Sequence, residues 1–393
     1  MISLARYSTL LGQPVLRATI AASFLGRLPI GITGLAILML TQAATQSFAH
    51  GGAVAACYTA GLAICAPLLG RAIDRYGPRQ VLLASAFAFP AALIALIFAL
   101  ASLPPWISFA LAATAGACFP PITVCMRTFF KQRLRDDASL AAAYSLESVL
   151  IETIFILGPL LVAFFVALLS PAAAVLFAAA CGCAGTLLFR ASRGLAEWRI
   201  EPRRASSLFG PLAERGFVPL LAVILCYASA FGLVEIGTIA YATEQGRPAF
   251  AGVLLGIMSV ASAAGGLVYG SRSWGLPLAR QFSLALGVMG LGVAPLALLA
   301  PDWVFALWCL PAGLAMAPAL IMQAMLVARI ARPEHSTEAF TWSATGLLAG
   351  IGLGLTGGGW LLEQASSAAA FAAAAATSVA AGALALRLVR LAR

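Results

Sequence analysis

Twelve apolar stretches of about 20 residues follow one another along the 393-residue chain, at about 18 to 41, 52 to 70, 80 to 101, 106 to 128, 139 to 168, 171 to 189, 217 to 242, 250 to 270, 281 to 300, 303 to 328, 338 to 361 and 368 to 386. A helix of that length crosses roughly 30 Å of hydrocarbon. Inside a bilayer only helices and closed barrels satisfy every backbone N–H and C=O. Barrel strands would read as alternating segments of roughly 10 residues, so the pattern predicts an all-α membrane protein. The composition, 62% hydrophobic and 10% charged, leaves no room for a soluble catalytic domain.

The net charge of +10 is read through topology. With the N-terminus in the cytoplasm, the loops on that side carry Arg71, Arg75 and Arg79, then Lys131, Arg133 and Arg135, then Arg190, Arg193, Arg199, Arg203, Arg204 and Arg215, and later Arg272, Arg280, Arg329 and Arg332. The opposite loops carry only Arg247. This positive-inside asymmetry predicts an even number of crossings with both termini cytoplasmic. The arginines form no single stripe, which argues against a nucleic-acid partner. The first span is too long for a signal-peptide core and is expected to be retained. Residues 1–14, with Leu4, Leu10 and Leu11 beside Arg6, read either as a surface amphipathic segment or as a frayed tail.

All eight cysteines fall inside the spans, no CxxC occurs, and the two histidines, His50 and His335, sit in loops on opposite sides. The pattern predicts no metal site and no disulfide framework. It calls for no cofactor.

The chain also resembles itself at half its length. Trp106, Ala115, Gly116 and Pro121 match Trp303, Ala312, Gly313 and Pro318 at a shift of 197. Arg133, Ala143, Tyr144 and Ser145 match Arg329, Ala339, Phe340 and Thr341 at 196, and Gly52 and Gly70 match Gly252 and Gly270 at 200. The predicted organisation is a six-helix unit over 1–189, a polar linker over 190–216 that contains Ser206 and Ser207, and a second six-helix unit over 217–393. Parallel repeats of this kind occur in transporters that rock two bundles about a midplane site.

Between the second and third spans the chain reads Gly70-Arg71-Ala72-Ile73-Asp74-Arg75-Tyr76-Gly77-Pro78-Arg79. This resembles the loop signature G-x-x-x-D-R-x-G-R-R of the major facilitator superfamily, with Pro78 in place of a basic residue. The resemblance implies that Gly70, Asp74, Arg75, Gly77 and Arg79 form a gating motif, and that Asp74 latches the cytoplasmic side against the N-terminus of the eleventh helix in the outward-open state. That helix begins near Ser336-Thr337-Glu338, which offers an N-cap and an acid for Arg71 or Arg75. Compared with drug:proton antiporters, the fourth-helix arginine is missing at Ala112. The fifth-helix Gly-Pro is kept as Gly158-Pro159, while Ser145 and Ile154 stand where glycines are usual and Val162-Ala163 follow.

Charges within the spans are costly and imply partners or a cavity. At 1.5 Å per residue, Arg27 lies roughly 15 Å deep, Glu147 about 12 Å, Glu152 about 20 Å and Glu235 about 25 Å. Arg27 is expected to pair with Glu147 or Glu152, as a structural salt bridge or a functional one. Glu152 shares its helix face with Ala141, Ser145, Ser148 and Pro159, and is the preferred proton-coupling candidate over Glu147 and Glu235. Glu235 reads equally as a second proton site, a contact for a cationic substrate or a tie to Tyr241. Arg127, one turn from a helix end, reads as a structural snorkelling residue.

By family analogy, Phe119, Tyr227, Met316, Met322, Gln323 and Met325 line the cavity with Arg27, a set suited to amphipathic compounds. Gly346, Gly350, Gly354 and Gly358 form an i, i+4 stripe expected to be a packing face for the moving bundles. The resulting expectation is a monomeric secondary transporter that exports a small amphipathic organic compound in exchange for protons. Two alternatives stay open: proton-coupled import of an organic anion, and a membrane sensor without flux. An enzyme is disfavoured, since no HExxH, GxSxG or Walker lysine motif occurs. The preference for Arg over Lys and for Ala points to a bacterial cytoplasmic (inner) membrane.

Overall fold

The computed structural model describes residues 5–391 except 103, 135, 197, 199, 201–209, 248 and 249, so Leu4, Arg135, Arg199, Arg203, Arg204, Ser206 and Ser207 lie outside the described residues. The chain folds into helices α1 (Ala5–Gly12), α2 (Pro14–Arg27), α3 (Pro29–Thr45), α4 (Phe48–Tyr76), α5 (Pro78–Ser102), α6 (Pro105–Ala117), α7 (Ile122–Arg133), α8 (Asp137–Leu168) and α9 (Pro171–Ala191). These are followed by α10 (Arg193–Ala196), α11 (Phe217–Glu244), α12 (Phe250–Ser271), α13 (Leu278–Val293), α14 (Asp302–Leu314), α15 (Met316–Ile330), α16 (Ser336–Gln364) and α17 (Ser367–Leu391). Short 3-10 turns cover Gly210–Ala213, Ala294–Leu298 and Pro333–His335. Among the described residues twelve segments are long and apolar enough to cross a membrane.

Three of the spans are broken, and prolines cause each break. Pro29 has no N–H for the carbonyl of Leu25, so the first span splits into α2 and α3 at Leu28. Pro120 and Pro121 split the fourth span into α6 and α7, and Pro318 interrupts the tenth at Ala315, between α14 and α15. The last two breaks are one feature of the repeat. Cys118 has φ −91° and ψ 1°, and Ala315, 197 residues later, has φ −92° and ψ −6°. Gly116 lies so close to the Tyr58 carbonyl that a Cβ would collide with it, and its repeat mate Gly313 meets the carbonyl of Met258 in the same way.

The spans form two six-helix bundles related by a pseudo-twofold axis. Two long seams join them, α4 against α16 and α8 against α12. Beside the seams, α7 and α15 also reach across to the opposite bundle. These half-helices run to the arginine-rich ends of their spans, here called the basic end. At the other end, the main neighbours of α3, α6 and α14 belong to their own bundle, so the ties between the bundles concentrate at the basic end.

Of the N-terminal segment, residues 5–12 form the short helix α1, with one face docked on the bundles and Ser8, Leu11 and Gly12 exposed. In α1 Tyr7 and Leu10 are buried, and the Tyr7 hydroxyl lies 2.9 Å from Ser145 Oγ on α8 and 3.0 Å from the Leu267 carbonyl on α12.

The glycine stripe of the eleventh span lies against α11 of its own bundle and not against the opposite one. Gly350 meets the Leu225 carbonyl, Gly354 the Ser229 carbonyl and Gly358 the side chain of Ile236, while Gly346 stays in looser contact with Ile224 and Leu221. Pro159 lies inside α8 without interrupting it, beside Gly158, whose backbone touches that of Gly31 on α3.

Candidate functional site

Three constellations occupy the interior between and within the bundles. At the basic end, Asp74 from the last turn of α4 faces the first turn of α16. One carboxylate oxygen accepts the Thr337 N–H at 3.0 Å and the other the Glu338 N–H at 2.8 Å. Two of the free N–H groups of that helix end are thereby satisfied by an anion, the arrangement the helix dipole favours. Ser336, expected as the cap, is the first residue of the helix, and its hydroxyl has no hydrogen-bond partner among the described residues.

Glu338 is 1% exposed and pairs with Arg71 rather than Arg75, at 2.6 Å from the guanidinium NH2 and 3.1 Å from Nε. Arg75 instead lies over the Tyr76 ring at 5.0 Å. Gly77 ends α4 with φ +82°, a conformation glycine alone takes without strain, and the Arg79 carbonyl accepts a hydrogen bond from Arg190. Gly70 packs against Thr341 and the Glu338 backbone so closely that a Cβ would not fit. Thr128 to Thr337 (3.2 Å) and Lys131 to the Ala331 carbonyl (2.8 Å) add further ties across the bundles.

The second constellation lies deeper, within the first bundle. Arg27 sits at the break between α2 and α3, is 1% exposed, and donates from Nε to the Ser23 carbonyl and from NH2 to Ser23 Oγ. Its remaining nitrogen approaches Glu147 Oε1 at 3.6 Å, and the same oxygen accepts from Arg127 Nε at 3.1 Å. Arg127 therefore turns inward to an acid and does not snorkel. Two guanidiniums share one carboxylate, so the cluster carries a formal charge of +1 in a place where water is scarce.

The third constellation spans the bundles. Glu152 does not meet Arg27. Its Oε1 accepts a hydrogen bond at 2.8 Å from Ser262 on α12, and Ser262 Oγ in turn accepts the Ala317 N–H at 3.1 Å. Ala317 is in the first turn of α15, where Pro318 supplies no N–H, so Ser262 links the positive end of a half-helix to the carboxylate. Glu235 on α11 is exposed at the surface of its span and has no polar partner among the described residues. Tyr241 instead bonds the Ala300 carbonyl and Asp302.

The other lining candidates are packed in this conformation. Tyr227 donates to Gln323 Oε1, and Gln323 Nε2 donates to Ser343 Oγ at 2.6 Å, all three buried in the second bundle. Phe119 is partly buried, edge-on to Phe89, while Met322 and Met325 are buried and Met316 half-buried. Sequence reasoning missed Ser262 and the role of Arg127. The proline at 318, two residues after the start of α15, was the available signal for the first of these.

The family pattern described as Major Facilitator Superfamily matches residues 19–276. The chain belongs to that superfamily. A bacterial homologue of the iron transporter ferroportin, crystallised in an outward-facing state, superposes with a TM-score of 0.80 over 96% of this chain and 100% of that one, at 14% identity. The human organic anion transporter MFSD10 gives 0.72 over 97% and 100% at 17% identity, and the proton:xylose symporter XylE 0.71 over 97% and 96% at 14% identity. These likenesses establish the transporter fold. No sequence among curated proteins matches the chain. Among the described residues no three His, Cys, Asp or Glu side chains come together as a metal site would require.

Proposed function

We propose that this transporter works by alternating access between its two bundles and exports a small amphipathic organic compound in exchange for protons, with Glu152 as the proton-carrying group. The observation that carries this reading is the hydrogen bond from Ser262 to Glu152. It joins a carboxylate of one bundle to a hydroxyl of the other, so the protonation state of Glu152 and the relative position of the bundles are linked. An ionised Glu152 is held to Ser262 and the α15 terminus, while a neutral one has far less reason to stay. Glu235 is exposed on the half of its span away from the basic end, where it is placed to meet a cationic substrate or a second proton.

In this reading the basic end faces the cytoplasm of a bacterial inner membrane, both termini lie on that side, and a single chain suffices. Asp74, Glu338 and Arg71 then hold the cytoplasmic gate shut, and access is from the outside. The buried +1 cluster supports a second reading, uptake of an organic anion that completes the charge balance beside Arg27 and Arg127.

Proteoliposomes loaded with pyranine distinguish the two. Addition of amphipathic cations or neutral drugs outside should produce protein-dependent lumenal alkalinisation as substrate enters and protons leave. Acidification on addition of organic anions would favour symport and the second reading, and a flat response to the whole panel would contradict both.

A further inference from the structure

The two seams between the bundles are repeat-related, yet only the first carries a buried charged latch. On the α4/α16 seam Gly70 faces Thr341, and on the α8/α12 seam their repeat mates Gly270 and Ser145 face each other just as closely. At the shifts that align these residues, Arg71 and Asp74 become Ser271 and Trp274, and Glu338 becomes Ala142. Among the described residues the second seam therefore lacks the acid cap and the buried ion pair that close the first; the charged tie beside it, Arg329 of α15 with Asp137 of α8, is exposed.

Tyr7 of α1 is found at that place. Its hydroxyl lies between Ser145 Oγ (2.9 Å) on one bundle and the Leu267 carbonyl (3.0 Å) on the other, and Ser145 Oγ also approaches the Gly266 carbonyl at 2.7 Å. Tyr7 donates to the Leu267 carbonyl and Ser145 to the Gly266 carbonyl, in a site where Tyr7 is 8% exposed and Leu10 4%. The absence of a side chain at Gly270 admits it, since a Cβ there would lie 2.6 Å from the Tyr7 hydroxyl and collide with Ser145.

We propose that α1 is a second lock at the basic end, a strap whose Tyr7 closes the α8/α12 seam and withdraws before that seam parts. The chain's own N-terminal helix thereby supplies the buried tie that the repeat left out, beside the exposed Arg329–Asp137 pair. The proposal rests on the reading that the bundles rock against each other, because a seam that never parts needs no lock.

The test places spin labels at Arg193 and Arg280, exposed residues of opposite bundles near the basic end, in the full chain with its native cysteines replaced. Distance distributions are then compared for the parent, Tyr7→Phe, Tyr7→Ala and Asp74→Ala. Tyr7→Phe keeps the ring and removes only the hydroxyl, so its thermal midpoint should stay near the parent's. Its longer-distance population should rise about threefold to tenfold, the effect of losing a net hydrogen bond from one side of a two-state equilibrium. Tyr7→Ala should raise it at least as much. A distribution unchanged in both Tyr7 variants, with Asp74→Ala lengthened, would overturn the strap and leave the rocking motion standing. No change in any variant would overturn both.

Discussion

Glu147 and Glu152 lie five residues apart on α8 and hold opposite bundles: Glu147 binds Arg127 and Arg27 within its own, whereas Glu152 binds Ser262 of the other. Five residues turn a helix by about 140°, which is what allows one helix to serve both. The first acid partners Arg27 and Arg127, and the second is tied to the neighbouring bundle.

Loss of Glu147 should therefore act on stability. Glu147→Gln leaves Arg27 and Arg127 without their carboxylate and is expected to destabilise the protein by about 3–5 kcal/mol, the scale for removing one partner of a buried ion pair. Thermal unfolding in detergent reads this directly, and the double variant Glu147→Gln/Arg27→Met should recover part of the loss. An unshifted midpoint in Glu147→Gln would mean that the cluster is solvated.

Asp74→Ala removes both acceptors from the first turn of α16. Capping of this kind is worth about 1 kcal/mol, or roughly a fivefold change in an equilibrium. In a background lacking the native cysteines, Thr128→Cys, buried in the closed form between the bundles, should react with a maleimide about fivefold faster once Asp74 is replaced. Equal rates would place the closure elsewhere.

Gly354 abuts the Ser229 carbonyl, whereas Gly352 on the same helix has nothing within 4 Å. Gly354→Val should separate α16 from α11 and cost about 1–3 kcal/mol, seen as a lower thermal midpoint and reduced yield of monodisperse protein. Gly352→Ala should leave both unchanged. The reverse order would mean that the stripe is not a packing surface.

Twelve spans, the half-length repeat and the loop that ties α4 to α16 were legible because each rests on its own sequence signal: an apolar run, a self-match, or a glycine and acid at fixed spacing. The broken helices were legible only in part. Pro121 and Pro318 marked the repeat, yet nothing local said that they would open the ladder while Pro67, Pro90 and Pro159 would be absorbed inside α4, α5 and α8. Depth along a helix put Arg27 and Glu147 at similar heights and so anticipated that they could meet. Depth says nothing about direction around the axis, so Arg127 was read as snorkelling when it turns to Glu147. Tyr7 was illegible for another reason: its burial depends on a gap between Ser145 and Gly270 that exists only after both bundles have assembled.

The central claim, that Glu152 couples protons to movement of the bundles, is tested most directly by lumenal pH in pyranine-loaded proteoliposomes containing Glu152→Gln. For a compound that alkalinises the lumen of wild-type vesicles, the variant should reach the same orientation and protein content, with its thermal midpoint within a few degrees of wild type, yet show no substrate-driven pH change. Alkalinisation at the wild-type rate would contradict the account and remove Glu152 from the coupling mechanism.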